Sequence, residues 1–131
     1  KRHKNYIKKR YNNNLMTKNK KKCKKPKNFT DQEIKKIIEV VKDRPAYLTF
    51  DIDGLDPAYA PGTGTPVSGG LTSAQALGII RGLENLNFIG ADVVEVAPVY
   101  DHAEITAIIA ATIAHDYLVI RAKQKMKQVK I

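Results

Sequence analysis

Ala46-Tyr47-Leu48-Thr49-Phe50-Asp51-Ile52-Asp53 is the stretch on which the fold of this 131-residue chain turns. Its first five residues are uncharged and rich in strand formers, which suits a strand buried in a parallel sheet better than one with a wet face. The strand runs straight into two carboxylates. From Ile52 to Leu71 follow five Gly and three Pro, too many for a regular element and too long for an ordinary connection. A loop of that length in a small domain is usually functional.

Upstream, Thr30 followed by Asp31-Gln32-Glu33 predicts a helix start, with acids near the positive end of the helix dipole. Ile34, Ile37, Ile38 and Val41 keep the spacing of one buried helical face as far as about Lys42, and Arg44-Pro45 ends the helix. Downstream, Thr72 with Gln75 forms a capping pair for a helix at about 73–85, whose apolar face is Ala76, Leu77, Ile79, Ile80 and Leu83. Residues 88–96 read as a second strand with Glu95 near its C-terminal end, and Pro98 prevents its continuation as a central ladder member. The Ala/Ile-rich residues 104–120 read as a last helix.

The order α-β-loop-α-β-α predicts an α/β fold with a parallel sheet. Ligands in such sheets gather beyond the carboxyl ends of the strands, where Asp51, Asp53 and Glu95 all fall.

Charge divides the chain. Lys and Arg number 23 against 13 Asp and Glu, yet residues 1–28 hold 13 of the basic side chains and no acid, and residues 29–120 hold 5 basic and 13 acidic ones. The expected organisation is a basic, disordered tail at 1–28, an α/β domain at 29–120 and a basic C-terminal tail at 121–131. The first tail is too polar to offset its ordering entropy; it is a solvated segment or, as the weaker alternative, a nucleic-acid contact that uses counterion release. A lone Cys23 excludes an internal disulfide scaffold and a Cys-only zinc site. No apolar run reaches the roughly 20 residues of a membrane span, because Asp, Thr, His or Arg interrupt each one. With no h-region after the first cations, the expectation is a cytoplasmic chain without membrane contact.

Two carboxylates two residues apart leave a strand on one face if the extended geometry persists, and can then grip a cation. Their mutual repulsion in a partly buried site is relieved most simply by a metal ion. The alternative from spacing alone is that one Asp caps the turn and the other is solvated. Asp56-Pro57 marks a turn, with Asp56 accepting backbone N–H bonds. Pro61-Gly62-Thr63-Gly64-Thr65-Pro66 lacks the Lys of a P-loop and reads as a shaped loop packed beside a site.

Phe50-Asp51-Ile52-Asp53-Gly54-Leu55-Asp56-Pro57, then Pro61 to Pro66, then Gly69-Gly70-Leu71-Thr72 resemble the ureohydrolase (arginase/agmatinase) family. Asp92-Val93-Val94-Glu95-Val96-Ala97-Pro98 and Tyr100 to Thr106 resemble its agmatinase branch and related guanidino-acid hydrolases. The likeness spans about residues 30–120. It implies the C-terminal part of a three-layer α/β/α arginase-like fold and hydrolysis of a guanidinium group to urea and an amine. Agmatine to putrescine is the implied reaction, with two Mn²⁺ ions and a bridging hydroxide. It further implies that Asp51 and Asp53 are metal ligands and that Glu95 receives the substrate guanidinium, a role in which a planar carboxylate suits a planar cation.

The family's Gly-Gly-Asp-His-Ser type and Asp-Ala-His-x-Asp type segments, which should precede Asp51, are absent. The chain is therefore expected to be the C-terminal half, incomplete or inactive alone, and a homo-oligomer only where the fold is complete. A non-enzymatic fragment with a basic tail for nucleic acid or acidic partners is the alternative. Of His3, His102 and His115, only His102 is a candidate for proton transfer, and a shaping role suits its motif better. Val67-Ser68, where many agmatinases carry an acid, leaves guanidinobutyrate-like substrates beside agmatine.

Overall fold

The structure is a computed structural model and describes residues 31–129. The basic segment 1–28, with His3 and Cys23, and the expected Thr30 cap lie outside the described residues.

Helix α1 (Asp31–Val41) leads to strand β1 (Ala46–Asp51), and a 3₁₀ turn (Ile52–Gly54) opens the long loop. Helix α2 (Ser73–Gly82) returns the chain to strand β2 (Phe88–Val94), and a second short 3₁₀ turn (Pro98–Tyr100) precedes helix α3 (Ile105–Val129). The order is the one the sequence predicts. Because β1 and β2 are parallel, their connection must cross over, and α2 supplies the crossover. Among the described residues the sheet has these two strands. The ladder aligns Leu48 with Ala91, Thr49 with Asp92, Phe50 with Val93 and Asp51 with Val94, with an irregularity between Ala46 and Tyr47.

The start of α2 is fixed locally. Thr72 accepts the Gln75 N–H while the Gln75 side chain accepts the Thr72 N–H, so two orphan donors of the helix start are satisfied reciprocally. Ala76, Ile79 and Ile80 of α2 then meet Ala46, Leu48 and Phe88 of the strands and Ile109, Ile113 and Ile120 of α3 in one core. Phe88 is clamped edge-on by Tyr117, with ring centroids 5.9 Å apart, within the range where edge-to-face aromatic pairs are attractive.

Helix α3 outruns its sequence expectation. It continues past Ile120 through the stretch read as a basic tail, as far as Val129. Arg, Lys and Gln are good helix formers, and here they also find partners. Arg121 donates to the Phe88 carbonyl, the Gln124 amide donates to the Glu84 carbonyl, and Lys123 pairs with Glu84 at 2.9 Å. That pairing, through the Lys123 hydrogen bond first, holds the Glu84 carboxyl below its ordinary range.

Over Ile105–Lys127 the same helix is long and apolar enough, by length and composition, to cross a membrane. The Thr, His and Asp residues that interrupt its apolar run do not break the helix. In the fold, Ile109, Ile113 and Ile120 turn this helix into the core, while Ile108, Leu118 and Met126 stay exposed. Asp116 is tied to Arg81 of α2 at 2.7 Å.

Candidate functional site

The extended geometry of β1 stops at Asp51, and the 3₁₀ turn begins at the next residue. Asp51 therefore does what one of the sequence alternatives allowed: its carboxylate caps the turn, accepting the Asp53 N–H at 3.2 Å. Asp51 and Asp53 do not share a strand face, because the chain between them is no longer extended. What keeps them together is the tight turn itself.

Asp53 is held from across the loop. The Thr63 hydroxyl donates to one oxygen of its carboxylate and the Thr65 hydroxyl to the other. Thr63 is 3% exposed and Thr65 is exposed, so one clamp is internal and the other faces solvent. Hydrogen bonds to an ionised acceptor are the stronger kind, and two of them from different residues fix both the position and the plane of the carboxylate.

The loop that carries these threonines is braced at several points. Asp56 accepts the N–H groups of Ala58 at 2.9 Å and Gly69 at 2.6 Å, which lowers its carboxyl below the usual Asp range, the Ala58 bond contributing most. Leu55 and Leu71 form an isolated parallel bridge. A Cβ at Gly70 would stand 2.6 Å from the Asp56 nitrogen and the Leu55 carbonyl carbon, both backbone, so only glycine allows the two ends of the loop this close.

Glu95 follows β2 directly and is exposed, with φ +66°. That left-handed conformation is uncommon outside glycine and is held only where the surroundings over-determine it. Since Asp51 pairs with Val94, Glu95 emerges at the same carboxyl edge from which the Asp51–Asp53 turn departs.

His102 is exposed, and the network beneath it is built by its neighbour. Asp101, 5% exposed, accepts the Thr106 N–H at 2.6 Å and the Ala103 N–H at 3.2 Å. These bonds lower its carboxyl, the Thr106 N–H first; His102 is the smallest contributor. His115 is exposed on α3, 3.7 Å from Asp116, away from this edge of the sheet.

Asp92, within the carboxylate motif of β2, has one oxygen reached by the Tyr47 hydroxyl at 3.3 Å, while its other oxygen is buried without a hydrogen-bond partner. Burial, and then the Asp92 carboxylate beside it, raises the Tyr47 phenol above its ordinary range.

The donor chemistry of Asp51 and Asp53 fits Mn²⁺ in kind, since hard carboxylate oxygens are what that ion takes. In number they do not complete a site. Among the described residues no group of three His, Cys, Asp or Glu side chains is placed to hold a metal ion.

The sequence reading missed Thr63 and Thr65 as members of the site, along with Asp101 and Thr106 behind it. The one available signal was that Thr63 and Thr65 repeat the two-residue spacing of Asp51 and Asp53.

A sequence model of the arginase family matches residues 4–119. An agmatinase of Klebsiella pneumoniae is 60% identical over 95 residues, covering 72% of this chain and 31% of that protein. Among solved structures, a hypothetical agmatinase from Burkholderia thailandensis superposes with a TM-score of 0.72 at 62% identity, over 74% of this chain and 31% of the other. Proclavaminate amidino hydrolase from Streptomyces clavuligerus gives 0.66 at 46% identity, over 67% and 30%. The chain thus spans about a third of the length of the relatives it matches.

Proposed function

This chain belongs to the arginase family, on its agmatinase branch, and from that premise we propose that it contributes the Asp51–Asp53 turn and Glu95 to a ureohydrolase site acting on a small guanidino compound, agmatine first. The observation that carries this reading is the register of the sheet: Asp51 stands beside Val94, so the aspartate turn and Glu95 leave one edge together. Open parallel sheets bind their ligands at that edge.

In the proposed reaction Asp51 and Asp53 hold manganese, two ions in the complete site. When bound, these ions supply Lewis acidity and an activated water. Thr63 and Thr65 keep the Asp53 carboxylate in one plane, so its oxygens need no reorganisation when a cation arrives. Glu95 pairs with the planar guanidinium through two parallel hydrogen bonds and so orients the carbon that is attacked. The left-handed backbone at Glu95 turns the chain out of the strand direction immediately beyond β2.

Because the described residues supply only a partial donor set, the chain alone is expected to release little urea. Full activity requires the segments with the remaining ligands. Val67-Ser68 leaves guanidinobutyrate-like substrates as the second choice. A homo-oligomer in the cytoplasm is the setting proposed for the complete fold.

The test is Mn²⁺-dependent urea release from agmatine, 4-guanidinobutyrate and arginine by the full chain. It is run alone and mixed with a polypeptide carrying the Gly-Gly-Asp-His-Ser and Asp-Ala-His-x-Asp type segments. Release that is lost in both Asp53→Ala and Glu95→Gln supports the reading. Release untouched by either substitution, or none under both conditions, contradicts it.

A further inference from the structure

We infer that Asp101 and Thr106 are positioning residues for the Asp53 carboxylate, acting through Gly62 and the loop that presents Thr63 and Thr65; this rests on the ureohydrolase reading of Asp53 above. The route is a chain of short contacts with no gap. Thr106 is fully buried, and its Oγ1 accepts the Gly62 N–H at 2.7 Å across a separation of 44 residues. The Asp101 carboxylate in turn takes the Thr106 N–H at 2.6 Å. Asp101 thus fixes the backbone of the residue whose hydroxyl receives Gly62, in a buried place where hydrogen bonds are strengthened by the low dielectric.

Gly62 is pinned at its other end too. Its carbonyl accepts the Ala97 N–H at 2.8 Å, which ties it to the segment that begins at Glu95. The residue after Gly62 is Thr63, the buried donor to Asp53. One residue, Gly62, therefore joins the start of α3, the segment after β2 and the clamp on Asp53. There is no slack in the joint: a Cβ at Gly62 would lie 2.8 Å from the Asp101 Cβ and 3.0 Å from Thr106 Oγ1.

A buried threonine serving packing alone would hold the helix start and nothing else. A positioning residue must be coupled to Asp53. Thr106→Val keeps the shape but leaves the Gly62 N–H without its acceptor, which is costly in a buried place, and the loop must then shift to find another. The experiment uses the full chain, following the ¹³C carboxyl resonance of Asp53 and the broadening of its neighbours by added Mn²⁺.

In Thr106→Val the Asp53 carboxyl resonance is expected to move, and roughly tenfold more Mn²⁺ to be needed for equal broadening, as when a partner behind a metal ligand is removed. Thr106→Ser, which keeps the hydroxyl, should restore both. In an Asp53→Ala background Thr106→Val should change the Mn²⁺ response no further. An unmoved Asp53 resonance in a Thr106→Val chain whose Leu48 and Phe88 resonances match the parent would overturn the inference. A parent chain that shows no Mn²⁺ response would sink the metal reading of Asp53, while the carboxyl resonance would still decide the positioning role. Should Thr106→Val fail to fold, Asp101→Asn, which keeps the size and one acceptor oxygen, takes its place under the same criteria.

Discussion

Asp51 and Val94 are partners in the parallel ladder, and that single pairing sets Glu95 one residue beyond the end of β1. A shift of one residue in register would turn every side chain of one strand to the opposite face and would separate the aspartate turn from Glu95. The consequences below follow from this edge and from the loop that braces it.

The two threonines on Asp53 differ in burial, so their removal should differ in effect. Thr63→Ala is expected to cost about 1.5–3 kcal/mol of stability, as for a buried hydrogen bond to a charged group. Thr65→Ala, at an exposed hydroxyl, should cost less than half as much. Both should weaken Mn²⁺ binding roughly tenfold or more. Urea denaturation and Mn²⁺ titration of the pair check this, and equal stability losses would contradict the assigned burial roles.

Glu95 carries backbone strain at the position proposed to receive substrate. Glu95→Gly should raise stability by about 1 kcal/mol, because glycine adopts positive φ without the steric penalty, and should abolish any urea release. Thermal melting with the urea assay measures both. A loss of stability would mean that the Glu95 side chain supports the fold.

Asp56 and Asp101 are both held below the ordinary Asp range by backbone N–H donors. A folded-state pKa below the unfolded one means that the unfolded chain binds more protons in acid. The stabilisation is therefore complete above the unfolded value of about 3.9 and fades as pH falls through the lower folded values. Melting temperature should be flat with respect to these groups above about pH 5 and should drop below it. Asp101→Asn should flatten the acid limb. A variant with the parent's full acid dependence would remove Asp101 from the account.

The capping box of α2 gives a local check on the crossover. Thr72→Ala should cost about 1 kcal/mol, and Thr72→Ser should recover most of it, as read from denaturation midpoints with an unchanged slope. No loss in Thr72→Ala would show that tertiary packing alone sets the helix start.

The elements were legible where the signal was local. The apolar run at 46–50, the Thr72 and Gln75 pair, and the spacing of Ile34, Ile37, Ile38 and Val41 each state their structure within a few residues. The site was legible only as a set of residue types. Nothing near Asp53 announces that its donors lie 10 and 12 residues away, and Thr106 reaches Gly62 over a still longer separation. Asp51 and Asp53 looked like neighbours on one strand face, yet they meet through a 3₁₀ turn that Asp51 also caps, because Ile52-Asp53-Gly54 leaves the strand earlier than an alternating pattern suggests. The end of α3 was misplaced because a charged, apolar-poor stretch reads as a tail until Phe88 and Glu84 are seen to receive Arg121, Gln124 and Lys123.

The most direct test of the central claim is a Mn²⁺ titration of the full chain followed by residue-resolved paramagnetic line broadening, with agmatine added at the end. The account predicts that Asp51, Asp53, Thr63 and Thr65 broaden first, that Asp53→Ala removes the effect, and that agmatine then perturbs Glu95 selectively. Broadening centred on Glu84 and Asp116 instead, with the Asp51–Asp53 turn untouched, would contradict it.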